Sequence, residues 1–327
     1  MDKIILAHGS GGRRTQELIK NIILKYLHSK ELKKLDDSAV LNLKNKKIAF
    51  ATDSFVVKPI FFKGGDIGKL AISGTVNDLL SQGAIPRFIS CGMIIEEGFS
   101  LSDFEKIVLS ISRESRRAEV EVVAGDIKVV EKGKCDGIFI NTSGIGEIFV
   151  DVGYNRIKEG DKILITGGIG EHEISIQLLR TGEKTKLKSD CQSLVFLKEV
   201  FKKFKNKIHF MRDPTRGGVA QSLIEIAEKS KFDFHIYEEN IPMKREVKVY
   251  SEIMGFDPLY LANEGKMLII CESSFSSKIL KFLKNFSNLA RIIGEVRKGK
   301  GEVVLKTKIG GMRKILALSG EQLPKIC

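Results

Sequence analysis

The chain has 327 residues, of which 43% are hydrophobic and 29% are charged, and these proportions predict a globular protein of about two domains. No apolar run approaches the roughly 20 residues that span a bilayer, and the first ten residues lack the flanks of a secretory signal, so we expect a cytoplasmic protein without membrane contact. The net charge of +13 leaves nucleic-acid binding to be considered.

The positive charge is spread along the chain rather than concentrated. The local lysine runs, at 201–207 and 296–301, are short and are typical of solvated helix faces and turns. Five tyrosines, no tryptophan and no alternation of aromatic with basic residues argue against base stacking. A polyanionic small ligand fits the charge equally well, and a non-catalytic nucleic-acid-binding protein is the least favoured alternative.

Short β-rich runs alternate with amphipathic segments, which predicts an α/β or α+β fold. In chain order, the first half predicts a helix at 15–27, a strand at 47–57, a helix at 65–83, a strand at 87–96, a helix at 100–118, and strands at 120–130 and 135–148. In the third helix Phe104, Ile107 and Ile111 recur at helical spacing and are expected in the core. Ser102 is the expected N-cap, with Glu105 three positions on.

A domain boundary is expected near residues 151–160, where turn composition precedes a new strand at 162–166. This interpretation assigns residues 1–155 to a first domain, residues 156–313 to a second α/β domain and residues 314–327 to a flexible C-terminal tail.

The five cysteines are scattered without a CxxC pair, which argues against a zinc knuckle or a disulfide framework. Four of them, Cys91, Cys135, Cys191 and Cys271, are expected to be reduced and structural. Cys327 is the last residue of the sequence, where little can pack around it. Gly320 loosens the preceding segment and Pro324 stiffens its end, so we expect a thiol that can visit two places.

Acidic residues occur beside glycines and at expected strand ends in the first half of the chain. Strand ends are where loops present functional groups, and converging carboxylates repel one another unless cations lie between them. Oxygen ligands of this kind suit Mg²⁺, although each residue could instead cap a helix or fix a turn. The candidates are Asp36, Asp37, Asp53, Asp78 and Asp126.

Two glycine-rich stretches precede expected helices. In the sequence AHGSGGRRTQELI, which begins at residue 7, the glycines could present helix N-terminal amides to a phosphate, but the stretch matches neither common phosphate-binding motif. A plain turn is an equally good interpretation. In ITGGIGEHEIS, at 165–175, Glu171 and His172 open a helix, and His172 could cap, pack or bind.

The stretch MRDPTRGGVAQSLIEIA, at 211–227, is more informative. Asp213 begins a turn, Arg216 is expected to point outward with a guanidinium suited to phosphate or carboxylate, and Gly217 and Gly218 permit close backbone approach before a helix.

These motifs together resemble the HypE family of hydrogenase maturation proteins, the carbamoyl dehydratases. The resemblance covers essentially the whole chain and rests on HGSGG, DDSAVL, TDSFVVKPIFFKGGDIGKLAISGTVNDL, AGDIKVV, GEHEIS, RDPTRGGVA, ANEGK and the terminal PKIC. The acidic motifs are shared with a wider group of ATP-using enzymes that includes aminoimidazole ribonucleotide synthetase. The terminal cysteine selects HypE within that group.

The resemblance implies a homodimer of two-domain subunits, in which the first domain supplies the dimer interface and binds ATP with Mg²⁺. It implies that Cys327 receives a carbamoyl group from a carbamoyltransferase and that ATP drives its dehydration to a thiocyanate. The cyanide would pass to an iron-carrying scaffold complex for the Fe centre of [NiFe] hydrogenase.

The resemblance also implies roles for individual residues. The catalytic residues are expected to be Cys327, Lys128, Arg216 and Glu264, with Lys128 and Arg216 on the transferring phosphate and Glu264 accepting a proton from the carboxamide nitrogen. The metal ligands are expected to be Asp53, Asp78 and Asp126, with Asp36 and Asp37 second in rank. Nucleotide contacts are expected from His8, Gly9, Gly11, Gly12, Asp53, Asn77, Asp78, Gly125, Asp126, Asp213 and Arg216.

The sequence departs from the family pattern at two places. Ile127 stands where the family commonly has threonine, which removes a hydroxyl, and PKIC replaces the commoner PRIC. The runner-up interpretation is another ATP-using member of the wider group, a selenophosphate synthetase or a small-molecule kinase. Residues 1–30 contain no cysteine, whereas selenophosphate synthetases resemble one another in a reactive Cys or selenocysteine near the N-terminus.

Overall fold

A computed structural model describes residues 3–10, 13–35, 38–44 and 47–318. It confirms the predicted α/β class, with helices packed against two main sheets. The predicted site residues Gly11, Gly12, Asp36, Asp37 and Cys327 lie outside the described residues.

The first sheet has four strands. They are β1 (Ile48–Phe55), β4 (Ala84–Glu96), β5 (Glu121–Val130) and β6 (Ile138–Ile148), with the short pair β2 (Phe61–Phe62) and β3 (Gly65–Asp66) beside them. The order is β1-β6-β4-β5, and only β4 and β5 run parallel among these neighbours. The predicted strands are confirmed, with boundaries that differ by up to three residues.

The helices of the first half cover one face of this sheet. They are α1 (Arg13–Leu18), a π-helical turn (Ile19–Ile23), α2 (Leu24–Tyr26), α3 (Lys30–Lys34), α4 (Ile67–Ser81) and α5 (Leu101–Ala118). The predicted apolar stripe of α5 is confirmed, because Phe104, Ile107 and Ile111 are fully buried. The predicted N-cap was wrong: Ser100 accepts from the Asp103 amide (3.2 Å), so the helix begins before Ser102.

The second sheet has seven strands in the order β13-β12-β9-β11-β7-β10-β8. Its strands are β7 (Lys162–Ile165), β8 (Ile208–Arg212), β9 (Phe232–Tyr237), β10 (Leu268–Cys271), β11 (Arg291–Lys298), β12 (Val303–Lys306) and β13 (Met312–Lys314). Its helices are α6 (Glu171–Arg180), α7 (Leu197–Phe204), α8 (Gly218–Ser230), α9 (Arg245–Met254) and α10 (Ser273–Leu283).

Regular structure continues past the residue at which we expected the tail to begin. The strand β13 pairs with β12 through Lys314, and Ile315 is buried in the core of the second sheet. The four cysteines expected to be structural, Cys91, Cys135, Cys191 and Cys271, are buried and free, as predicted. In the described part of the chain, no helix has both the length and the apolar character needed to cross a membrane.

The mostly buried stretch 189–194, here called the seam segment, joins the two halves of the molecule. The Asn77 side chain on α4 donates to the Gln192 carbonyl (3.1 Å) and accepts from the Leu194 amide (2.8 Å). The Glu114 carboxylate on α5 accepts from the Ser193 amide (2.8 Å). The helices α4 and α5 therefore fix this segment through its backbone.

Replacing Asn77 by alanine should destabilise the protein by about 2–4 kcal/mol, because a backbone carbonyl and an amide at the seam would lose their partners. Urea denaturation measures the change in free energy of unfolding. The matched control is Asn285→Ala at an exposed position, which should change it by less than about 0.5 kcal/mol. Equal effects of the two substitutions would contradict the structural role given to Asn77.

Candidate active site

Residues from four separate elements meet at a cavity of about 190 Å³, here called the carboxylate pocket. Asp53 comes from β1, Asp78 from α4, Arg216 from the turn before α8, and Glu264 from the loop before β10. The remaining lining residues are Thr52, Ser54, Phe55 and Thr215. Not all of the predicted acidic residues sit at strand ends, since Asp78 lies within a helix and Asp126 in the middle of β5.

The carboxyl groups around this pocket raise one another's proton affinity. Burial, followed by the charges of Asp213 and Asp53, raises the pKa of Asp78 to about 8. Burial also raises the pKa of Asp213 to about 6, and the Asp53 charge adds to this. Burial raises the pKa of Asp53, against the opposing charge of Arg216. Ionising all of these carboxyls together therefore costs free energy, as expected for carboxylates that hold a cation.

Glu264 is the most enclosed member of the pocket. Its side chain is buried, and its Oε1 atom has no hydrogen-bond partner among the residues that the structure describes. Burial, followed by the charges of Asp190 and Asp213, raises the pKa of Glu264 well above its ordinary value. A buried carboxyl oxygen without a partner is uncommon and calls for an explanation. A carboxyl with raised proton affinity is suited to proton transfer near neutral pH.

The pocket suits a magnesium ion that is shared with a ligand. No three His, Cys, Asp or Glu side chains of the described ranges are grouped closely enough to enclose a metal ion. Mg²⁺ usually takes one or two carboxylates and completes its shell with substrate phosphates and water. Asp53 and Asp78, whose charges act on one another, fit that pattern.

A buried ion pair lies beneath Glu264. The two Asp190 carboxylate oxygens accept from the backbone amides of Glu264 (3.2 Å) and Gly265 (3.1 Å). Lys266 Nζ lies 3.1 Å from both Asp190 Oδ2 and Glu171 Oε2. Although burial opposes it, the Lys266 charge keeps the pKa of Asp190 below its ordinary value. The seam segment thus holds the backbone that carries Glu264.

Sequence reasoning missed this contribution of Asp190. Lys266 stands in the ANEGK motif, and its position two residues after Glu264 could have suggested a charged group close to the site. Asp190 has no comparable signal, because its partners lie more than 70 positions away in the chain. Gly265 is needed at its position because a Cβ atom there would collide with the Asp190 carbonyl.

Three of the quoted motifs converge on the Glu264 loop. Asn263, of ANEGK, donates to the Pro214 carbonyl of RDPTRGG (3.0 Å) and accepts from the Gly170 amide of GEHEIS (2.8 Å). Glu173 accepts from the Ala262 amide (2.6 Å). The loop therefore has little freedom, and the position of Glu264 is fixed.

The other motif residues have the following places. Gly218 approaches the loop backbone at 259–261 so closely that a Cβ atom would clash, which confirms the expected close approach. Arg216 is exposed, as expected. His172 packs: it is fully buried, its Nδ1 lies 2.7 Å from Ser189 Oγ, and its ring meets the edge of Phe62.

Four further predicted residues line a second cavity, of about 170 Å³, between the N-terminal helices and β5. Gly9, Gly125, Asp126 and Lys128 border it, and Asp126 Oδ2 lies 3.4 Å from Lys128 Nζ on an exposed surface. Ile127 also lines it, so the hydroxyl expected from the family is replaced by apolar surface. Among the predicted metal ligands that the structure describes, Asp53 and Asp78 thus line one cavity and Asp126 lines the other.

His8 and Asn77 already have structural partners. His8 is buried, its Nδ1 accepts from the Ile5 amide (3.0 Å), and burial lowers its pKa, so the ring is neutral. The Asn77 amide oxygen and nitrogen are used at the seam segment. The nucleotide contacts that the resemblance implies for these two residues stay predictions.

Comparison with known proteins agrees with these motifs. Two family models match, the N-terminal domain of AIR synthase related proteins at residues 35–148 and the C-terminal domain at 158–306. The carbamoyl dehydratase HypE of Azotobacter vinelandii is 40% identical, over 98% of this chain and 96% of its own length. The chain belongs to the HypE family. It is therefore a dehydratase.

Solved structures agree with this membership. A crystal structure of HypE in complex with ATP superposes with a TM-score of 0.95 at 42% identity, covering 99% of both chains. A HypE–HypF complex matches with a TM-score of 0.80 at 41% identity, over 92% of this chain and 99% of that one. A hydrogenase expression/formation protein of Methanocaldococcus jannaschii, described as putative, is 43% identical over 99% of this chain and all of its own length.

Replacing Asp78 by asparagine should stabilise the metal-free protein by about 1–2 kcal/mol at pH 8. The pKa of Asp78 is raised to about 8 in the folded state, so the folded protein binds an extra proton and loses stability as the pH rises from about 4 to 8. The gain from the substitution should therefore shrink as the pH falls from 8 to 5. Urea denaturation with EDTA measures it, and a gain independent of pH would contradict the assignment.

Proposed function

We propose that the protein uses ATP to dehydrate a carbamoyl group carried on Cys327, giving a thiocyanate that supplies cyanide to the Fe centre of [NiFe] hydrogenase. The observation that carries this proposal is the position of Glu264, a buried carboxyl with raised pKa beside Asp53, Asp78 and Arg216, in a chain of the HypE family. The HypE crystal structure in complex with ATP supports a nucleotide ligand for this chain.

The carboxylate pocket would hold Mg²⁺ through Asp53 and Asp78, and with it the nucleotide phosphates. Removal of like-charge repulsion by the cation would offset the cost of ionising these carboxyls. Asp126, Gly9 and Gly125 border the second cavity and are proposed to extend the nucleotide site, together with Asp36 and Asp37 from outside the described residues. The ATP supplies a phosphoryl group, which makes the carbamoyl oxygen a good leaving group.

The side chains of this protein would then move protons and stabilise charge. Arg216 is exposed at the pocket and can face a phosphate oxygen, while Lys128 is proposed for the same task from β5. Glu264 would accept a proton from the carboxamide nitrogen. The nitrogen would lose one proton to Glu264 and the other to the departing phosphate, the carbon–oxygen bond would break, and the oxygen would leave with the phosphate. A carbon–nitrogen triple bond would then remain on sulfur.

Two partners are proposed. The solved HypE–HypF complex supports a protein partner for this chain, and the resemblance implies that the partner is the carbamoyltransferase that loads Cys327. An iron-carrying scaffold complex would accept the cyanide.

A homodimer is proposed through the uncovered face of the first sheet. Phe50 and Ile94 on this face are 66% and 44% exposed, and their strand partners Ile145 and Phe139 add apolar surface. The same face presents Lys128, through its pairing with Ile94, so dimerisation would place this side chain at the interface.

Replacing Glu264 by glutamine should slow dehydration by about 10²–10⁴-fold while leaving carbamoylation intact, because only the second step needs the proton acceptor. The protein is incubated with the carbamoyltransferase, carbamoyl phosphate and MgATP, and intact mass is followed over time. The wild type should gain a carboxamide and then lose one water, whereas Glu264→Gln should stop at the carboxamide. Glu239→Gln, at an exposed position, is the matched control.

The same experiment tests the carrier. Deletion of Cys327 should abolish both mass changes. If the truncated protein still gains the carboxamide and loses water, Cys327 is not the carrier, and if wild-type protein turns over ATP without either change, a kinase-like or synthetase-like reaction replaces the proposal.

A further inference from the structure

The chain is fastened just before its C-terminal segment begins. The Tyr260 hydroxyl donates to the Leu316 carbonyl (2.6 Å), and Arg313 Nη2 lies 3.0 Å from Asp257 Oδ2. Between these contacts, Ile315 is buried and its amide donates to the Val303 carbonyl (2.8 Å). The segment leading to Cys327 therefore starts from a fixed point at Leu316.

The other ends of these contacts belong to the loop that carries Glu264. Asp257 shapes the start of this loop, because its Oδ1 atom accepts from the Leu259 amide (3.0 Å) while its Oδ2 atom faces Arg313. Tyr260 precedes Glu264 by four residues. Because amides of the rest of the loop donate hydrogen bonds to Asp190 and Glu173, the start of the segment and the Glu264 carboxyl share one rigid support.

The Leu316 carbonyl does not need the Tyr260 hydroxyl as its donor, so the contact has a role beyond satisfying this carbonyl. The Leu316 side chain is 62% exposed, so its carbonyl lies at the edge of the fold, where water could serve as donor. The Tyr260 ring is 8% exposed and would stay packed without its hydroxyl. Burial, followed by the Asp257 charge, raises the pKa of Tyr260, so the phenol keeps its proton and remains a donor.

We propose that Tyr260 and the Asp257–Arg313 ion pair are positioning elements that fix the pivot from which residues 317–327 deliver Cys327 to the Glu264 pocket. The catalytic consequence rests on the proposed function, whereas the pivot itself rests only on the contacts of the described residues.

The length of the segment 317–327 determines how much the loss of the pivot should lower the local concentration of the Cys327 sulfur at the pocket. Eleven residues follow Leu316 up to and including Cys327, and eleven residues reach at most about 38 Å. If the pivot and β13 both detached, a chain of 16 residues would remain. The local concentration of the sulfur at the pocket would then fall by about twofold from length alone. It would fall further because the detached chain would no longer start in a fixed direction.

The test compares Tyr260→Phe with wild type in the full-length protein carrying a carbamoylated Cys327. A single turnover with MgATP is followed by intact mass, and MgATP affinity is measured by calorimetry. Tyr260→Phe should slow the loss of water by about two- to fivefold with unchanged MgATP affinity. Tyr154→Phe, whose ring packs against Phe210 of β8, is the matched control and should behave as wild type.

A second readout does not depend on the reaction. The four other cysteines are buried, so a thiol-reactive spin label attaches to Cys327 selectively. Tyr260→Phe should increase the mobility of this label, and Tyr154→Phe should not.

Two results would overturn the proposal. One is a rate and a label mobility for Tyr260→Phe that match the Tyr154→Phe control. The other is a parallel loss of rate and MgATP affinity, since Tyr260 would then act on the pocket rather than on the pivot. If even wild-type protein fails to lose water, the proposed function is wrong, and the label mobility alone then decides whether the pivot exists.

Discussion

The carboxylate pocket depends on the contact between Lys266 and Asp190. Asp190 holds the backbone amides of Glu264 and Gly265, and Lys266 supplies the opposite charge that keeps this carboxylate ionised in a buried position. Loss of one partner from such a buried pair typically costs about 3–5 kcal/mol. Because Asn77 fixes the same seam segment to α4, the ion pair also fixes Glu264 relative to Asp78.

This rigid frame holds together charges that would otherwise separate. Asp53, Asp78, Asp213 and Glu264 all have a raised pKa, and mutual repulsion contributes to most of these shifts. A fold that keeps them close gives up stability for a site that is ready for a cation and a polyphosphate. The net positive charge of the chain favours the same class of ligand at longer range.

The sequence predicted the class of fold and most first-half elements, because hydrophobic periodicity and glycine-rich turns are local signals. The family resemblance pointed to Asp53, Asp78 and Arg216 as site residues, and all three line the carboxylate pocket. It did not predict the separation of Asp126 from them, since β5 faces the other cavity in the final topology. Asp190 was missed because its role arises only from tertiary contacts.

The most direct test is whether Cys327 reaches the carboxylate pocket. Thr215 lines this pocket, so a Thr215→Cys variant can form a disulfide with Cys327 under mild oxidation, within one protomer or between two. Crosslinking should be rapid, and much faster than for Ser274→Cys at an exposed position of α10. Crosslinking of both variants at the same rate, or of neither, would contradict the delivery of the carrier sulfur to this site.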